Sequence, residues 1–149
     1  MSKPLLILGA GGHASVLVDI LFQQKRKILG VVSPEVDSNS KVFNGIEHFE
    51  SDDEILKFDK NSIKLVNGIG SLPGNNLRSL IFNKFGAMGY EFESVIDSTA
   101  IVSSFTELGE GVQVFPGVII QTGVSIGANC IINTGTIIDN DNMPFCNIS

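Results

Sequence analysis

A chain of 149 residues that is 43% hydrophobic and 17% charged has the apolar content to bury a core, which excludes intrinsic disorder. Its formal net charge of −6, with no basic cluster larger than Lys25-Arg26-Lys27, excludes a surface built for nucleic acid or anionic membrane. Two cysteines, Cys130 and Cys146, have neither metal-ligand spacing nor a histidine nearby, so neither a metal centre nor a disulfide framework is expected, and the default compartment is the cytoplasm.

The first apolar run, Leu5–Leu8, follows Lys3 as in a signal peptide, but Gly9-Ala10-Gly11-Gly12-His13 interrupts it and Asp19 lies in its continuation. No stretch is long enough to span a bilayer, and a soluble protein is expected. Pro4–Leu8 reads instead as a strand buried on both faces. Gly9, Gly11 and Ala14 satisfy G-x-G-x-x-G/A, and Val16, Leu17, Ile20 and Leu21 recur at helical intervals, so a helix should begin near Ala14. A strand, a glycine turn and a helix N-terminus together preform a site for a phosphate.

Ile28–Val32 is the second strand of a βαβ unit. A dinucleotide site places an acidic residue at this strand's end for a ribose hydroxyl. Here the order is Ser33, Pro34, Glu35, which weakens an NAD reading. Residues 36–45 are polar and read as loop. Ser51-Asp52-Asp53-Glu54 forms a capping box ahead of a short helix contributing Ile55, Leu56 and Phe58. Its acidic residues are helix-start chemistry rather than a metal site.

Ile63–Val66 is the third strand and ends in a second glycine-rich loop, Asn67-Gly68-Ile69-Gly70-Ser71-Leu72-Pro73-Gly74. Parallel strands deliver their C-terminal ends to one edge, so this loop faces the same crevice as the first. Asn75 or Asn76 caps the next helix, which carries Leu77, Leu80, Ile81 and Phe85 on one face. A short strand, Tyr90–Val95, then leads out of the domain, whose boundary falls near Ser94. The expected α/β unit, residues 1–94, is a Rossmann-like βαβαβ domain with a nucleotide-type crevice lined by Gly11, Gly12, His13, Ser33 and Gly70. For His13 the readings are a phosphate contact or a plain turn residue; His48 reads as a solvated loop residue.

From Ile96 the chain repeats every six residues: Ile96, Val102, Leu108, Val114, Ile120, Ile126, Ile132 and Ile138 are all aliphatic. Four positions after each stands a mostly small or β-branched residue, from Ala100 through Val112, Val118 and Val124 to Cys130. Three positions after each stand Thr99, Phe105, Gly111, Gly117, Gly123, Asn129, Gly135 and Asp141, mostly residues that tolerate positive φ, so a tight corner is expected in every hexad. A period of six fits neither a helix nor a long strand. It fits a β-solenoid, residues 95–149, with three hexads, 18 residues, per coil and the aliphatics inward. The next inward position after Ile138 would be Pro144.

The glycine turn Gly9–His13, the strand end Val66-Asn67-Gly68-Ile69-Gly70 and the hexads that open at Val95-Ile96-Asp97 together resemble one family along essentially the whole chain. This is the hexapeptide-repeat, nucleotide-sugar-dependent acetyltransferases of bacterial surface-glycan synthesis (NeuD/PglD-like), which modify sialic acids or 4-amino-4,6-dideoxy sugars. The resemblance implies a left-handed parallel β-helix, a homotrimer, and acetyl-CoA as cosubstrate in a groove between subunits. It implies that the N-terminal domain holds the sugar nucleotide, with Gly11, Gly12, His13 and Gly70 at matching positions and Ser33 replacing the usual acidic residue. It also implies an acetyltransferase of the lipopolysaccharide or capsule routes, working in the cytoplasm.

In that family a histidine within N-T-G-x-x-(V/I)-(E/D)-H-(D/E) removes the acceptor's proton, assisted by the acid that follows. Here the run is Asn133-Thr134-Gly135-Thr136-Ile137-Ile138-Asp139-Asn140-Asp141. Asn140 stands in the histidine's place and Asp141 keeps the acid. An amide has no usable proton-accepting pKa, so Asn140 orients an acceptor but does not act as a base. The family also continues for more coils, which carry most of the coenzyme A groove, so the expectation is a truncated member or one whose last coil is finished by partner subunits, and an acetyltransferase impaired or inactive as it stands. The alternatives are a non-catalytic nucleotide-sugar binding module and an NAD-linked oxidoreductase.

Overall fold

The computed structural model describes residues 2–37 and 39–140, and the backbone of residues 144–145. The chain divides into two compact units, Met1–Glu93 and Ser94–Ser149.

The first unit is a four-stranded parallel sheet in the order β3-β2-β1-β4, formed by β1 (Leu5–Leu8), β2 (Ile28–Val32), β3 (His48–Phe49) and β4 (Lys64–Asn67). Every residue of β1 is buried, as a continuous apolar run in the middle of a parallel sheet requires. Leu6 and Leu8 face a cluster that contains Ile55, Leu65, Phe85, Tyr90 and Phe92. Ile7 lies on the other face, near Ala14 of helix α1 (Gly12–Gln23). Burying each such side chain stabilises the fold by about 1.5–3 kcal/mol. From β1 the chain winds outward through β2 to β3, then returns to the opposite side of β1 as β4. The winding therefore reverses between β1 and β4, where open α/β sheets form their ligand crevice.

Several local expectations need correction. Helix α1 begins at Gly12, two residues before Ala14, because Gly11 takes the extended N-cap conformation. The segment after Ser51 is a 3-10 helix, Asp52–Lys57, and Ser51 Oγ accepts from Asp53 N rather than completing a reciprocal box with Glu54. Helix α2 (Leu77–Ala87) buries Phe85 and partly buries Ile81, but Leu77 and Leu80 are exposed. Phe82 joins Ile81 against the core instead, since the two stand three and four residues before Phe85, on the same side of the helix. Phe92 makes one parallel bridge to Leu65, and regular strand resumes only at β5 (Val95–Ile96). His48 is a strand residue of β3 rather than a loop residue.

In the second unit, two-residue strands stack in three parallel sheets: β5-β8-β11, β6-β9-β12 and β7-β10-β13. Here β6 is Ile101–Val102, β7 Glu107–Leu108, β8 Gln113–Val114, β9 Ile119–Ile120, β10 Ser125–Ile126, β11 Ile131–Ile132, β12 Ile137–Ile138 and β13 Pro144–Phe145. Pairing advances by 18 residues per coil, as in Val95↔Gln113↔Ile131 and Ile101↔Ile119↔Ile137. The eight repeated aliphatics share one core cluster with Ala100, Val112, Val118, Val124 and Cys130. The expected inward position Pro144 is displaced: Ser125 pairs with Pro144 and Ile126 with Phe145, so the last rung steps by 19 residues.

Corners at Gly111, Gly117, Gly123, Asn129 and Gly135 have positive φ, between 63° and 81°. Thr99 and Phe105 do not. Those two corners are built by side chains instead: Asp97 Oδ2 accepts from Thr99 N at 2.9 Å, and Ser103 Oγ accepts from Phe105 N at 3.2 Å, each a local turn that needs no left-handed residue. The eighth corner, Asp141, lies outside the described residues.

Candidate functional site

The C-terminal ends of β1, β2 and β4 carry the turn Gly9–His13, Ser33, and the loop that begins at Asn67. They enclose a crevice of about 410 Å³. All five residues expected to line a nucleotide site, Gly11, Gly12, His13, Ser33 and Gly70, are brought together on its walls. Gly68 lets the two loops approach, because a Cβ there would run into Leu8 O. Gly70 leaves room for His13, whose Cβ would be 3.2 Å from any Cβ added to it.

The N-cap residue of α1 is Gly11, which has no side chain to cap it. First-turn N–H groups have no acceptor within their own helix, and the helix dipole adds positive potential there, so the turn suits an anion. Ser33 Oγ donates to Glu35 O at 2.7 Å, which leaves its lone pairs to accept. The carbonyl of Ser33 accepts from His48 Nε2 at 2.6 Å; a carbonyl only accepts, so this ring nitrogen carries the proton.

On the other side of Gly11 and Gly12 lies a second hollow of about 350 Å³, which Asp37, Ser15, Ser40 and Phe43 border. Asp37 supplies an acidic group near the end of β2, the feature that Ser33 lacks. It falls in a stretch read as loop, and no local pattern singled it out. Two further residues escaped the sequence reading: Asn67 and Arg78, both buried beside the second glycine loop. The hint for Arg78 was a basic residue inside the first turn of a helix, between Leu77 and Leu80.

In the solenoid, Asn140 follows β12 and is exposed, as is Asp139. Asp141 lies outside the described residues. Among the described residues there is no group of three His, Cys, Asp or Glu side chains able to hold a metal ion. Cys130 is buried within the solenoid core, where the repeat places it. Among the described residues no helix is long and apolar enough to cross a membrane.

The family model of the PglD N-terminal domain matches residues 4–85, and that of the bacterial transferase hexapeptide (six repeats) matches residues 105–140. No curated protein matches the chain. Among solved structures it is similar to PerB from Caulobacter crescentus in complex with CoA and GDP-perosamine, at 29% identity over 91% of this chain and 62% of that one, with a TM-score of 0.76. It is similar to a histidine-to-asparagine mutant of perosamine N-acetyltransferase from the same organism, also in complex with CoA and GDP-perosamine, at 30% identity over 93% and 63%, TM-score 0.78. The acetyltransferase domain of PglB from Neisseria gonorrhoeae FA1090, in complex with acetyl coenzyme A, shares the fold at 21% identity over 95% and 66%, TM-score 0.82. The α/β unit is thus followed by a left-handed parallel β-helix, and the chain spans less than two thirds of the length of each of these structures.

Proposed function

This chain belongs to the family of the PglD N-terminal domain, and from that premise we propose that it is a sugar acetyltransferase that receives a sugar nucleotide in the crevice between β1 and β4 and acetyl-CoA on its β-helix. The observation that carries the reading is the convergence of Gly11, Gly12, His13, Ser33 and Gly70 on one hollow at the sheet's switch point, beside an uncapped helix start. In the reaction an amine or hydroxyl of the sugar attacks the thioester carbon. The C–S bond breaks, coenzyme A leaves as a thiolate that takes up a proton, and the nucleophile gives one up. A group at the position of Asn140 is where that proton would go, and the amide does not take it.

In this reading the chain is an acetyltransferase impaired by the loss of its proton acceptor, and Asp141 is the remaining acid of the pair. Ligand binding without a histidine has support: a histidine-to-asparagine mutant of a 30% identical acetyltransferase holds CoA and GDP-perosamine. The same replacement favours a second reading, a nucleotide-sugar binding module without turnover. The working assembly we propose is a homotrimer. Ile101, Ile119 and Ile137 stack on the outer face of one sheet, with Ile101 64% and Ile137 63% exposed, and Phe105 nearby in sequence is 77% exposed. An apolar ladder of that kind is the surface that copies of a chain cover in one another. The setting is the cytoplasm, where acetyl-CoA and sugar nucleotides meet in lipopolysaccharide or capsule synthesis.

Titration calorimetry with a UDP-sugar, a GDP-sugar, NAD and acetyl-CoA, paired with an assay of released thiol, tests this. Binding of a sugar nucleotide and of acetyl-CoA with slow thiol release supports the enzyme. Sugar-nucleotide binding with no thiol release supports the binding module. Binding of NAD alone would overturn both.

A further inference from the structure

A cation in the first turn of a helix meets the wrong end of the helix dipole, and a buried guanidinium is costly unless its donors are engaged. Arg78 is the second residue of α2 and only 5% exposed, so something specific holds it there. Its Nη1 donates to Asn67 O at 3.0 Å and to Ile69 O at 2.7 Å. The bonding is returned: Asn67 Nδ2 donates to Arg78 O at 3.1 Å, and Ile69 N donates to Asn67 Oδ1 at 3.2 Å. Three hydrogen bonds thus tie the start of α2 to both ends of the tripeptide Asn67-Gly68-Ile69, and the fourth closes a turn within the tripeptide itself.

The direction of those carbonyls matters for an anion. In a planar trans peptide the C=O of one residue and the N–H of the next point in opposite directions. With Ile69 O aimed at Arg78, the Gly70 N–H is aimed away from it; Gly70 lines the crevice and Arg78 does not. A carbonyl turned into the crevice would repel a phosphate, whereas an N–H attracts one. We propose that Arg78 is a positioning residue: by drawing the carbonyls of Asn67 and Ile69 onto its guanidinium, it fixes the second glycine loop with N–H groups available to the diphosphate of a sugar nucleotide. This rests on the reading of the crevice as the nucleotide site.

The test uses the full chain and three proteins: unaltered, Arg78→Met and Arg78→Lys. UDP, GDP and acetyl-CoA are titrated separately, and amide hydrogen exchange is followed at Gly68 and Gly70. Arg78→Met should weaken nucleoside diphosphate binding roughly tenfold to a hundredfold, quicken exchange at Gly70, and leave acetyl-CoA affinity unchanged. Arg78→Lys keeps the charge but loses the planar fork, so its losses should be intermediate. If Arg78→Met does not fold, Arg78→Lys decides by the same criteria. Unchanged nucleotide affinity in either folded variant overturns the proposal, and so does an equal loss of acetyl-CoA affinity, which marks general loosening. An unaltered chain that binds neither UDP nor GDP sinks the functional reading, and this proposal with it; a variant-only failure leaves that reading standing.

Discussion

Gly68 packs so tightly on Ala14 that a methyl group in place of its hydrogen would stand 2.9 Å from the Ala14 Cβ, and 2.5 Å from Leu8 O. The third small residue of the first glycine motif therefore finds its partner in the second glycine loop, across the crevice floor. Gly68→Ala should destabilise the protein by about 1–3 kcal/mol, read as a fall in the urea midpoint at constant slope. The nearer clash is with a backbone oxygen, so adding Ala14→Gly should recover little. Full recovery in the double variant would mean that the methyl-to-methyl contact, and not the Leu8 carbonyl, sets the spacing.

Tyr90 closes the opposite side of the sheet. Its hydroxyl lies 3.1 Å from Ile55 O and 2.9 Å from Phe58 O, holding the 3-10 helix to the core. Burial, with the Asp59 carboxylate adding to it, raises the phenol above its ordinary pKa of 10.0. The folded chain then keeps a proton that the unfolded chain loses, so this contribution to stability is complete below pH 10 and fades as pH climbs through the folded value. Tyr90→Phe should cost about 1 kcal/mol at pH 7 and flatten the alkaline limb of the stability profile. An unchanged alkaline limb would show that ionisation of Tyr90 does not set that loss.

How much of this was legible in the residues follows from how far each signal reaches. The hexads carry their own register, so Ile96 through Ile138 announce an inward stripe without reference to anything distant. The corners were legible where glycine or Asn129 stood. They were not at Thr99 and Phe105, where Asp97 and Ser103 do the turning from two residues back. The crevice could be read from two strand ends because parallel topology brings such ends to one edge. By contrast β3 is two residues long, too short to show any period, and so His48 looked like loop. Leu77 and Leu80 have core spacing yet face outward, since periodicity defines a face of α2 without saying which face is covered. The roles of Arg78 and Asp37 stayed hidden for a related reason: each matters through a partner or hollow remote in sequence.

The outward ladder of the solenoid gives a direct test of assembly. Ile119 is the middle rung between Ile101 and Ile137, and its side chain is on the outer face, so a charge there spares the inner core. Ile119→Lys should turn a trimer into a monomer in sedimentation velocity, with the β-sheet circular dichroism unchanged. A variant that still sediments as a trimer would move the interface to another face.

Asp37 borders the hollow next to Gly11 and Gly12, where the ribose of a nucleotide seated on the glycine turn would come within its reach. Its carboxylate accepts hydrogen bonds from a vicinal diol, which a 2′-deoxyribose lacks. Asp37→Asn should therefore weaken binding of a ribonucleoside diphosphate by roughly tenfold to a hundredfold, while leaving the 2′-deoxy analogue nearly unaffected. Equal losses for both sugars would show that Asp37 acts on the phosphates or the fold rather than the diol.

Asn140 is exposed at the end of β12, so a histidine there needs no repacking of the coil. On the proposed reading, in which sugar nucleotide and acetyl-CoA meet at this position, supplying a general base typically gains 10²–10⁴-fold in rate. Asn140→His should raise kcat within about that range and leave the affinities for sugar nucleotide and acetyl-CoA unchanged, because the new group acts on the proton and not on the ground-state complex. The rate of the variant should also rise with pH through about 6.5, the ordinary range of imidazole, since only the neutral ring accepts a proton, whereas the unaltered chain should show no such inflection. A variant that binds both ligands and turns over no faster would mean that proton removal is not what limits this chain, and the binding-module reading would then be the better one.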